Sequence, residues 1–446
     1  MRRIIILILL AFAGTGAKAE IRVGVAREKI TPETPIWMSG YAFRNRPSEG
    51  IIHDIWVKAL VIEENSKKPI IIVTADVIGL SHEISQEVIR RATDKYGISR
   101  SQILLNSSHT HSAPVIWPSL GIMYNLADSD FLVLVKYSDN LIDKITKVID
   151  SAMNNLVRAQ IFTGHGSADF AINRRELTEK GVIIGLNPAG PSDHDVPVIK
   201  FETTEGKLLA VLFGYACHNT TLGDYQINGD YAGFAQIELE KEYPDAIAMF
   251  MIGCGADQNP NPRKKIEFAE SHGKSLALSV QKVLAGDLQP VHLPIRTAFT
   301  TVTLEFPSFN PSRFKKELEE GDIYQKRRAK FLLESFDRGY DVSNLTYPVQ
   351  AIRFDNDLTI LALAGEVVVD YSLNAKKRYP EENLFVAGYS NEVPCYIPSL
   401  RVLREGGYEP ETSMVYYGLP GPFKENVEEK IFNAIDEVMK QTRARK

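Results

Sequence analysis

The feature that most constrains the fold is an alternation between short apolar stretches and segments with helical periodicity. The apolar stretches have the length of a β-strand, and most are followed by a segment in which apolar residues recur every three or four positions. Strands that alternate with helices in this way predict an α/β fold, with loops gathered at the ends of the strands. We therefore expect a mixed β-sheet core flanked by helices.

The alternation continues along the chain from residue 21. Strands are expected at 59–62, 70–75, 103–106, 207–216, 246–252, 358–364 and 384–388, with an exposed strand at 293–306. Helices are expected at 83–96, 128–157, 231–243, 267–284, 311–337, 367–378 and 425–441. No linker rich in Gly, Ser or Pro divides the 446 residues. Residues 20–446 are therefore predicted to form a single large domain.

Residues 1–19 have the composition of a secretory signal peptide. Arg2 and Arg3 precede an apolar run at 4–13, and Ala17 and Ala19 place small residues at the spacing of a cleavage site. The run is about half as long as a bilayer-spanning helix. We expect the segment to be removed and the chain to be exported, to the periplasm or the extracellular space, without a transmembrane segment.

Charge and cysteine content exclude several classes of protein. The chain has 51 basic and 56 acidic residues, a formal net charge of −5, so no broad basic surface for nucleic acid is expected. Cys217, Cys254 and Cys395 are too few for a disulfide scaffold and lack the close spacing of a zinc knuckle. A thiol enzyme, with Cys217 or Cys254 as nucleophile beside His218, stays open as an alternative, and it predicts inactivation by alkylation but not by chelators.

Three histidines follow predicted strands at points where polar loops begin. His109 and His111 come after the strand at 103–106, and residues two apart in an extended chain point the same way, so both imidazoles can face one site. His218 follows the strand at 207–216. Imidazole is a common zinc ligand, although such residues also form ordinary hydrogen-bonded pairs.

Other polar residues follow later strands. Glu366 comes after the strand at 358–364, where a carboxylate is either a metal ligand or a charge that favours the start of a helix. Tyr396 and Tyr408 follow the strand at 384–388 and are either site residues or amphipathic packing residues. The glycine-rich loop at 253–260 would let backbone amides approach a ligand, or form an ordinary turn.

Together these segments resemble the N-terminal catalytic domain of the neutral ceramidase family, the neutral/alkaline non-lysosomal zinc amidases. The resemblance runs in order from about residue 21 to 430. The family motif Thr-His-Thr-His-Ser-Gly-Pro appears at 108–114 as Ser-His-Thr-His-Ser-Ala-Pro. Other matches are His218 before Gly229-Asp230, Gly365-Glu366, Tyr396 after Ser390-Asn391, Tyr408-Glu409 and Asn173-Arg174.

The resemblance implies one zinc ion per chain, bound by His109, His218, Glu366 and Tyr396. It also implies three catalytic residues, namely His111, Tyr408 and Arg174, with Arg174 holding the substrate as well. In the glycine-rich loop we expect Asp257 and Gln258 to contact the substrate.

The sequence departs from the family at two points. Gln258 stands where the family has an active-site serine, and no immunoglobulin-like C-terminal domain is expected. Both departures weaken ceramide as the substrate more than they weaken hydrolysis. We expect a zinc-dependent hydrolase that cleaves an amide bond of a small molecule, either an N-acylated lipid or a polar amide. Two alternatives stay open: a metal-dependent enzyme for a polar, sugar-derived substrate whose anionic group Arg174 binds, and a non-catalytic binding protein on the same scaffold.

Overall fold

The structure is a computed structural model that describes residues 20–443, so the predicted signal peptide lies outside the described residues. This range contains twenty strands: β1 (Ile21–Lys29), β2 (Gly50–Ile51), β3 (Trp56–Glu64), β4 (Ile70–Ala75), β5 (Ile103–Ser107), β6 (Val157–Ser167), β7 (Ala171–Thr178), β8 (Gly181–Asn187), β9 (Asp195–Thr203), β10 (Leu208–Tyr215), β11 (Gln226–Ile227), β12 (Ile247–Ile252), β13 (Gln258–Pro260), β14 (Gln289–Pro290), β15 (Ile295–Glu305), β16 (Asn344–Phe354), β17 (Leu358–Leu363), β18 (Glu366–Val367), β19 (Leu384–Ala387) and β20 (Tyr396–Ile397).

Nine α-helices lie between residues 20 and 443: α1 (His82–Tyr96), α2 (Asp128–Asn154), α3 (Asp230–Glu242), α4 (Ile266–Leu284), α5 (Pro311–Glu320), α6 (Ile323–Asp337), α7 (Asp370–Arg378), α8 (Leu400–Glu405) and α9 (Val427–Thr442). Among these helices, none has a stretch both long and apolar enough to cross a lipid bilayer.

Two β-sheets form the centre of the molecule. The larger sheet is mixed and has the order β12-β10-β9-β6-β1-β3-β4-β5, with β14 paired to β6. The smaller sheet has the order β15-β16-β17-β19. Apolar side chains from both sheets form one core between them, represented by Leu60 and Leu212 from the larger sheet and Ile360 and Phe385 from the smaller. The predicted mixed sheet core is thus confirmed, but it consists of two sheets packed face to face.

Helices cover the outer faces of both sheets. Helices α1 and α2 pack on one end of the larger sheet, and α3 and α4 pack on the other end. Helix α9 packs on the smaller sheet through Ile431, Ile435 and Val438. The result is a single α/β domain with four layers, helix–sheet–sheet–helix.

Parallel pairing brings the candidate loops together. The pairs β4–β5, β10–β12 and β17–β19 are parallel, so loops that leave their carboxyl ends share an edge. Two isolated bridges, Asn106–Ser390 and Gly253–Ala387, join the ends of the two sheets at this edge. The loops after β5, β10, β12, β17 and β19 therefore meet at one place.

Several predicted boundaries are wrong for local reasons. The helix predicted at 311–337 is two helices, because α5 ends at Gly321 and the Asp322 carboxylate caps the start of α6 by accepting from Tyr324 and Gln325 N–H. The helix predicted from 367 begins only at Asp370. The helix predicted to 157 ends at Asn154, where the chain turns into β6. The strand at 293–306 is a half-buried edge strand paired with β16 along its whole length.

Candidate metal centre

His109 lies just beyond β5 in an unusual backbone conformation. Its φ angle of +61° is in the left-handed region, which is strained for a residue with a side chain. Its backbone N–H donates to the Val77 carbonyl at 3.0 Å, and its ring Nδ1 donates to the Ile78 carbonyl at 2.5 Å. A ring that donates from Nδ1 in this way presents Nε2 as the atom that can bind a metal ion.

His218 is oriented in the same way at the end of β10. Its backbone N–H donates to the Gln258 carbonyl at 3.0 Å, and its Nδ1 donates to the Gly255 carbonyl at 2.7 Å. The side chain is fully buried. Burial, reinforced by the positive charge of Arg174, lowers the pKa of His218 to about 4, so the ring is neutral at neutral pH.

Glu366 and Tyr396 are neighbours in the short parallel pair β18–β20. The preceding residue, Gly365, has φ +75°, and a Cβ there would lie 2.7 Å from the Cys395 carbonyl oxygen, so this turn requires glycine. The turn directs the Glu366 carboxylate to the histidines: Oε2 is 3.0 Å from His109 Nε2 and 3.1 Å from His218 Nε2.

These short distances are compatible with a positive species between the groups. Burial by itself raises the pKa of Glu366, but positive charge on the imidazole side of the carboxylate outweighs burial and holds the pKa well below its usual range. The group is therefore a carboxylate. A carboxylate oxygen that meets two imidazole nitrogens is stable only with a shared proton or a shared cation. Because His218 holds its proton on Nδ1, a cation satisfies the arrangement better.

His111 completes a buried cluster of three imidazoles, whose nearest nitrogens all lie within 4.8 Å of one another. Its Nε2 is 3.1 Å from His109 Nε2. Its Nδ1 is buried without a hydrogen-bond partner among the described residues, and it packs so closely on Gly40 that a Cβ there would lie 2.4 Å away. Arg44 Nη1 donates to the His111 carbonyl at 2.5 Å. Burial lowers the pKa of His111 well below its usual value, so this ring is neutral as well.

The residues present fit a zinc ion. Two imidazoles, a carboxylate and a phenol provide the nitrogen and oxygen ligands that zinc accepts. The Tyr396 hydroxyl lies 3.3 Å from His218 Nε2, the atom that also contacts Glu366. All four predicted ligands therefore converge, and His111 lies beside them.

Arg174 is held by protein groups. Its Nε donates to Glu409 at 2.9 Å, and its Nη2 donates to the Tyr396 hydroxyl at 3.1 Å. Arg175 donates to the other oxygen of Glu409 at 2.5 Å, so the buried carboxylate joins two arginines. The Arg174 guanidinium also lies 5.6 Å from the ring centroid of Tyr408, which is half-buried. The structure thus places Arg174 as a support for Tyr396 and Tyr408.

Asp257 and Gln258 lie in the loop beside His218, but their side chains are used internally. Gln258 Nε2 donates to the Ala216 carbonyl, and its Oε1 accepts from Asp193 N–H at 3.0 Å. Asp257 Oδ1 accepts from Val369 N–H at 2.8 Å. These bonds hold neighbouring loops together. The contacts of Asp257 and Gln258 with substrate stay predictions, and they are not favoured because both side chains already bond to protein groups.

Sequence reasoning missed Tyr417, whose hydroxyl donates to Glu366 Oε1. This bond uses the carboxylate oxygen that does not face the imidazoles. Tyr389, which follows β19, packs on His109 with the ring centroids 4.4 Å apart. Neither contact can be predicted from the spacing of residues along the sequence.

The three cysteines lack the features of a nucleophile. Cys217, Cys254 and Cys395 are fully buried, and burial raises the pKa of each thiol. Reactive thiols lie instead in accessible sites that lower the pKa. The thiol alternative is therefore not favoured.

Comparison with known proteins gives consistent relatives. The family model "Neutral/alkaline non-lysosomal ceramidase, N-terminal" matches residues 21–261, a little over half of the chain. The chain is 28% identical over 239 residues to neutral ceramidase of Drosophila melanogaster, covering 50% of this chain and 33% of that protein. It is 26% identical over 246 residues to neutral ceramidase of Pseudomonas aeruginosa, covering 53% and 36%. The matched region thus spans about a third of the length of these relatives.

Two solved structures share the fold. The chain superimposes on neutral ceramidase from Pseudomonas aeruginosa with a TM-score of 0.72 and 19% identity, covering 96% of this chain and 76% of that one. A structure described as ceramidase complexed with C2 gives a TM-score of 0.73 at 18% identity, covering 96% and 77%. The superposition includes the part of the chain that carries Glu366, Tyr396 and Tyr408, which lies beyond the family-model match.

Proposed function

Because the chain belongs to the neutral/alkaline non-lysosomal ceramidase family, we propose that it is an exported, zinc-dependent hydrolase that cleaves an amide (N-acyl) bond. The observation that carries this proposal is the contact of Glu366 Oε2 with the Nε2 atoms of His109 and His218, at 3.0 and 3.1 Å. Export rests on the sequence of residues 1–19 alone.

The ion would be held by His109, His218, Glu366 and Tyr396, one zinc per chain. When bound, zinc supplies Lewis-acid activation of water and of the scissile carbonyl. The protein contributes the orientation of the ligands: backbone carbonyls fix the Nδ1 protons of both histidines, and Tyr417 fixes the carboxylate. Such outer hydrogen bonds set the geometry of a metal site.

His111 is the proposed acid–base residue. Its Nε2 faces the cluster, and its buried ring is neutral, so Nε2 can accept a proton from water as the water oxygen bonds to the carbonyl carbon. The same proton can then pass to the amide nitrogen as the carbon–nitrogen bond breaks. An amine is a poor leaving group unless it is protonated, so one residue that does both suits amide hydrolysis.

Tyr408 and Arg174 form the proposed substrate side of the centre. The Tyr408 ring lies 5.4 Å from the Tyr396 ring, in an edge-on arrangement, and is the more exposed of the two. Its hydroxyl can donate to the developing oxyanion. Arg174 keeps both tyrosines in place and adds positive potential behind them. The proposed substrate is an N-acylated lipid or a polar amide, and ceramide is one candidate.

Hydrolysis of two amides with and without metal tests this proposal. The purified chain is stripped with a chelator, reloaded with zinc and assayed for fatty-acid release from N-dodecanoylsphingosine and from N-hexanoylglycine. We expect turnover of at least one amide by the zinc-loaded chain, loss of turnover on chelation and recovery with zinc. Turnover that survives chelation would contradict the zinc requirement. Zinc binding without turnover of either amide would favour a binding protein on this fold.

A further inference from the structure

A cavity of about 640 Å³ lies next to the candidate metal centre. Tyr41 forms part of its wall, and the same ring packs on His111 with the ring centroids 4.9 Å apart. Thr221, also in the wall, follows the proposed ligand His218 by three residues. The cavity therefore borders the aromatic ring that packs on His111.

Two cations line this cavity without a counter-ion. Arg263 and Lys264 are both in the wall, and neither forms an ion pair with any residue between 20 and 443. Arg263 is half-buried, and its Nε is buried without a hydrogen-bond partner in the same range. The wall contains one carboxylate, the exposed Asp224, whose Oδ1 accepts from Gln226 N–H at 3.1 Å. A second carboxylate, the buried Asp230, lies behind the wall and accepts from Leu222 N–H at 2.8 Å. Positive charge is thus in excess among the wall residues themselves.

A third cation lies behind the wall. Arg44 is only 4% exposed, and its guanidinium carbon is 4.9 Å from the centroid of the Tyr41 ring. Its donors go to the carbonyls of Ser39, His111 and Asp224, and none goes to a carboxylate among the described residues. A buried guanidinium without a counter-ion is costly, and an anion placed nearby lowers that cost.

The rest of the wall is mostly apolar. Phe43, Ile52 and Ile266 line it, with Gln226 as a neutral polar residue. Thr221 is 1% exposed, and its buried hydroxyl lies beside the buried Asp230 carboxylate. The cavity therefore combines two cations with an apolar surface.

We propose that this cavity is a subsite for a carboxylate carried by the substrate near its scissile amide. The planar guanidinium of Arg263 matches a carboxylate, and Lys264 adds positive charge beside it. The chain then prefers acidic amides, such as N-acyl amino acids, to neutral ones. This inference rests on the proposed amide hydrolysis, and it assigns anion binding to Arg263 because Arg174 is already occupied by Glu409.

Binding to the metal-free chain tests the subsite separately from catalysis. Without zinc, a carboxylate has no metal to coordinate. Isothermal titration calorimetry would compare N-hexanoylglycine with its neutral analogue N-hexanoylglycinamide. A second pair, adipic acid monoamide and adipamide, places the charge on the acyl side. In at least one pair, we expect the acid to bind about fivefold more tightly (~1 kcal/mol) than the neutral compound.

Charge-neutralising variants locate the effect. Arg263→Gln and Lys264→Gln should each reduce the preference for the acid, and the double variant should abolish it. The matched control is Lys274→Gln, an exposed lysine on α4 outside the cavity, which should keep the preference. Thermal unfolding of each variant would verify that it is folded.

The outcomes separate the subsite from the proposed function. Equal affinity for acid and neutral compound in both pairs, no binding of any compound, or a preference that survives the double substitution would overturn the subsite. If the acid is preferred in binding but the zinc-loaded chain cleaves none of the four compounds, the subsite stands and the hydrolase proposal fails. If acids and neutral compounds are cleaved and bound equally, the hydrolase proposal stands and the subsite proposal fails.

Discussion

The Nε2 atoms of His109 and His111 lie 3.1 Å apart, yet the two rings are held by different groups. His109 donates its Nδ1 proton to the Ile78 carbonyl, as metal-binding histidines usually do. His111 has no such bond, since its Nδ1 packs on Gly40. This difference supports the proposal that the first ring binds metal and the second transfers protons.

Replacing His111 with glutamine should separate these roles. We expect His111→Gln to keep its zinc and to lose at least about 100-fold in kcat, the usual effect of removing an acid–base residue. Zinc content and steady-state kinetics on the same preparation measure both. His165→Gln, a partly exposed histidine paired with Asp195, is the control. Loss of zinc in His111→Gln would show instead that this ring is a ligand.

Replacing Tyr417 with phenylalanine should weaken metal binding. The Tyr417 hydroxyl donates to Glu366 Oε1, and loss of such a supporting bond lowers metal affinity about tenfold or more. Competition with a chelating fluorophore measures the zinc affinity. The neighbouring Tyr416→Phe, whose ring packs on Tyr324 instead, should leave the affinity unchanged. Equal affinities in both variants and the parent chain would contradict the role of Tyr417.

Alkylation should leave the folded chain active. Because Cys217, Cys254 and Cys395 are buried and their thiol pKa values are raised, iodoacetamide at neutral pH should not modify them until the chain unfolds. Mass spectrometry of native and denatured samples counts the modified thiols, and the activity of the native sample is assayed in parallel. Rapid inactivation that accompanies modification of one thiol would instead support the thiol-enzyme alternative.

Replacing Glu409 with glutamine should destabilise the chain by about 3–5 kcal/mol, because Arg174 and Arg175 would lose the anion between them. Burial raises the pKa of Glu409, but Arg174 and Arg175 lower it by a larger amount, so the net shift of this pKa is downward. Stabilisation by this carboxylate is therefore complete above its unfolded pKa of about 4.3 and is lost as the pH falls through the lower folded pKa.

Urea unfolding at several pH values measures this contribution. The difference between the parent chain and Glu409→Gln should be constant near neutral pH and should shrink in acid, below about pH 4. The nearby exposed Glu411→Gln should have little effect at any pH. A difference for Glu409→Gln that grows in acid would contradict the sign of the pKa shift.

The sequence predicted individual elements better than their arrangement. Strand and helix periodicities located β4, β5, β10, α1 and α4 closely, because these elements bury one face or are buried entirely. The sequence did not reveal the second sheet, which is formed by β15, β16, β17 and β19. Which strands pair is decided by contacts between distant segments, and an apolar run has the same appearance in either sheet.

The candidate site shows the same division. His109, His111 and His218 could be found from residue type and strand ends, and the family resemblance supplied Glu366 and Tyr396. Two contacts could not be found from the sequence. Tyr417 bonds to Glu366, which is 51 positions away, and Glu409 joins Arg174 and Arg175, which are more than 230 positions away. Such contacts follow from packing and leave no local pattern.

Zinc content tests the central claim most directly. The purified chain would be reconstituted with zinc and dialysed, and its zinc content measured by elemental mass spectrometry. The variant His109→Ala would be treated in the same way. The control is His292→Ala, which replaces an exposed histidine paired with Asp357. We predict about one zinc per chain in the parent and the control, and its loss in His109→Ala, because the substitution removes one of the two proposed imidazole ligands. Absence of zinc from the reconstituted parent chain, or its full retention in His109→Ala, would contradict the metal centre.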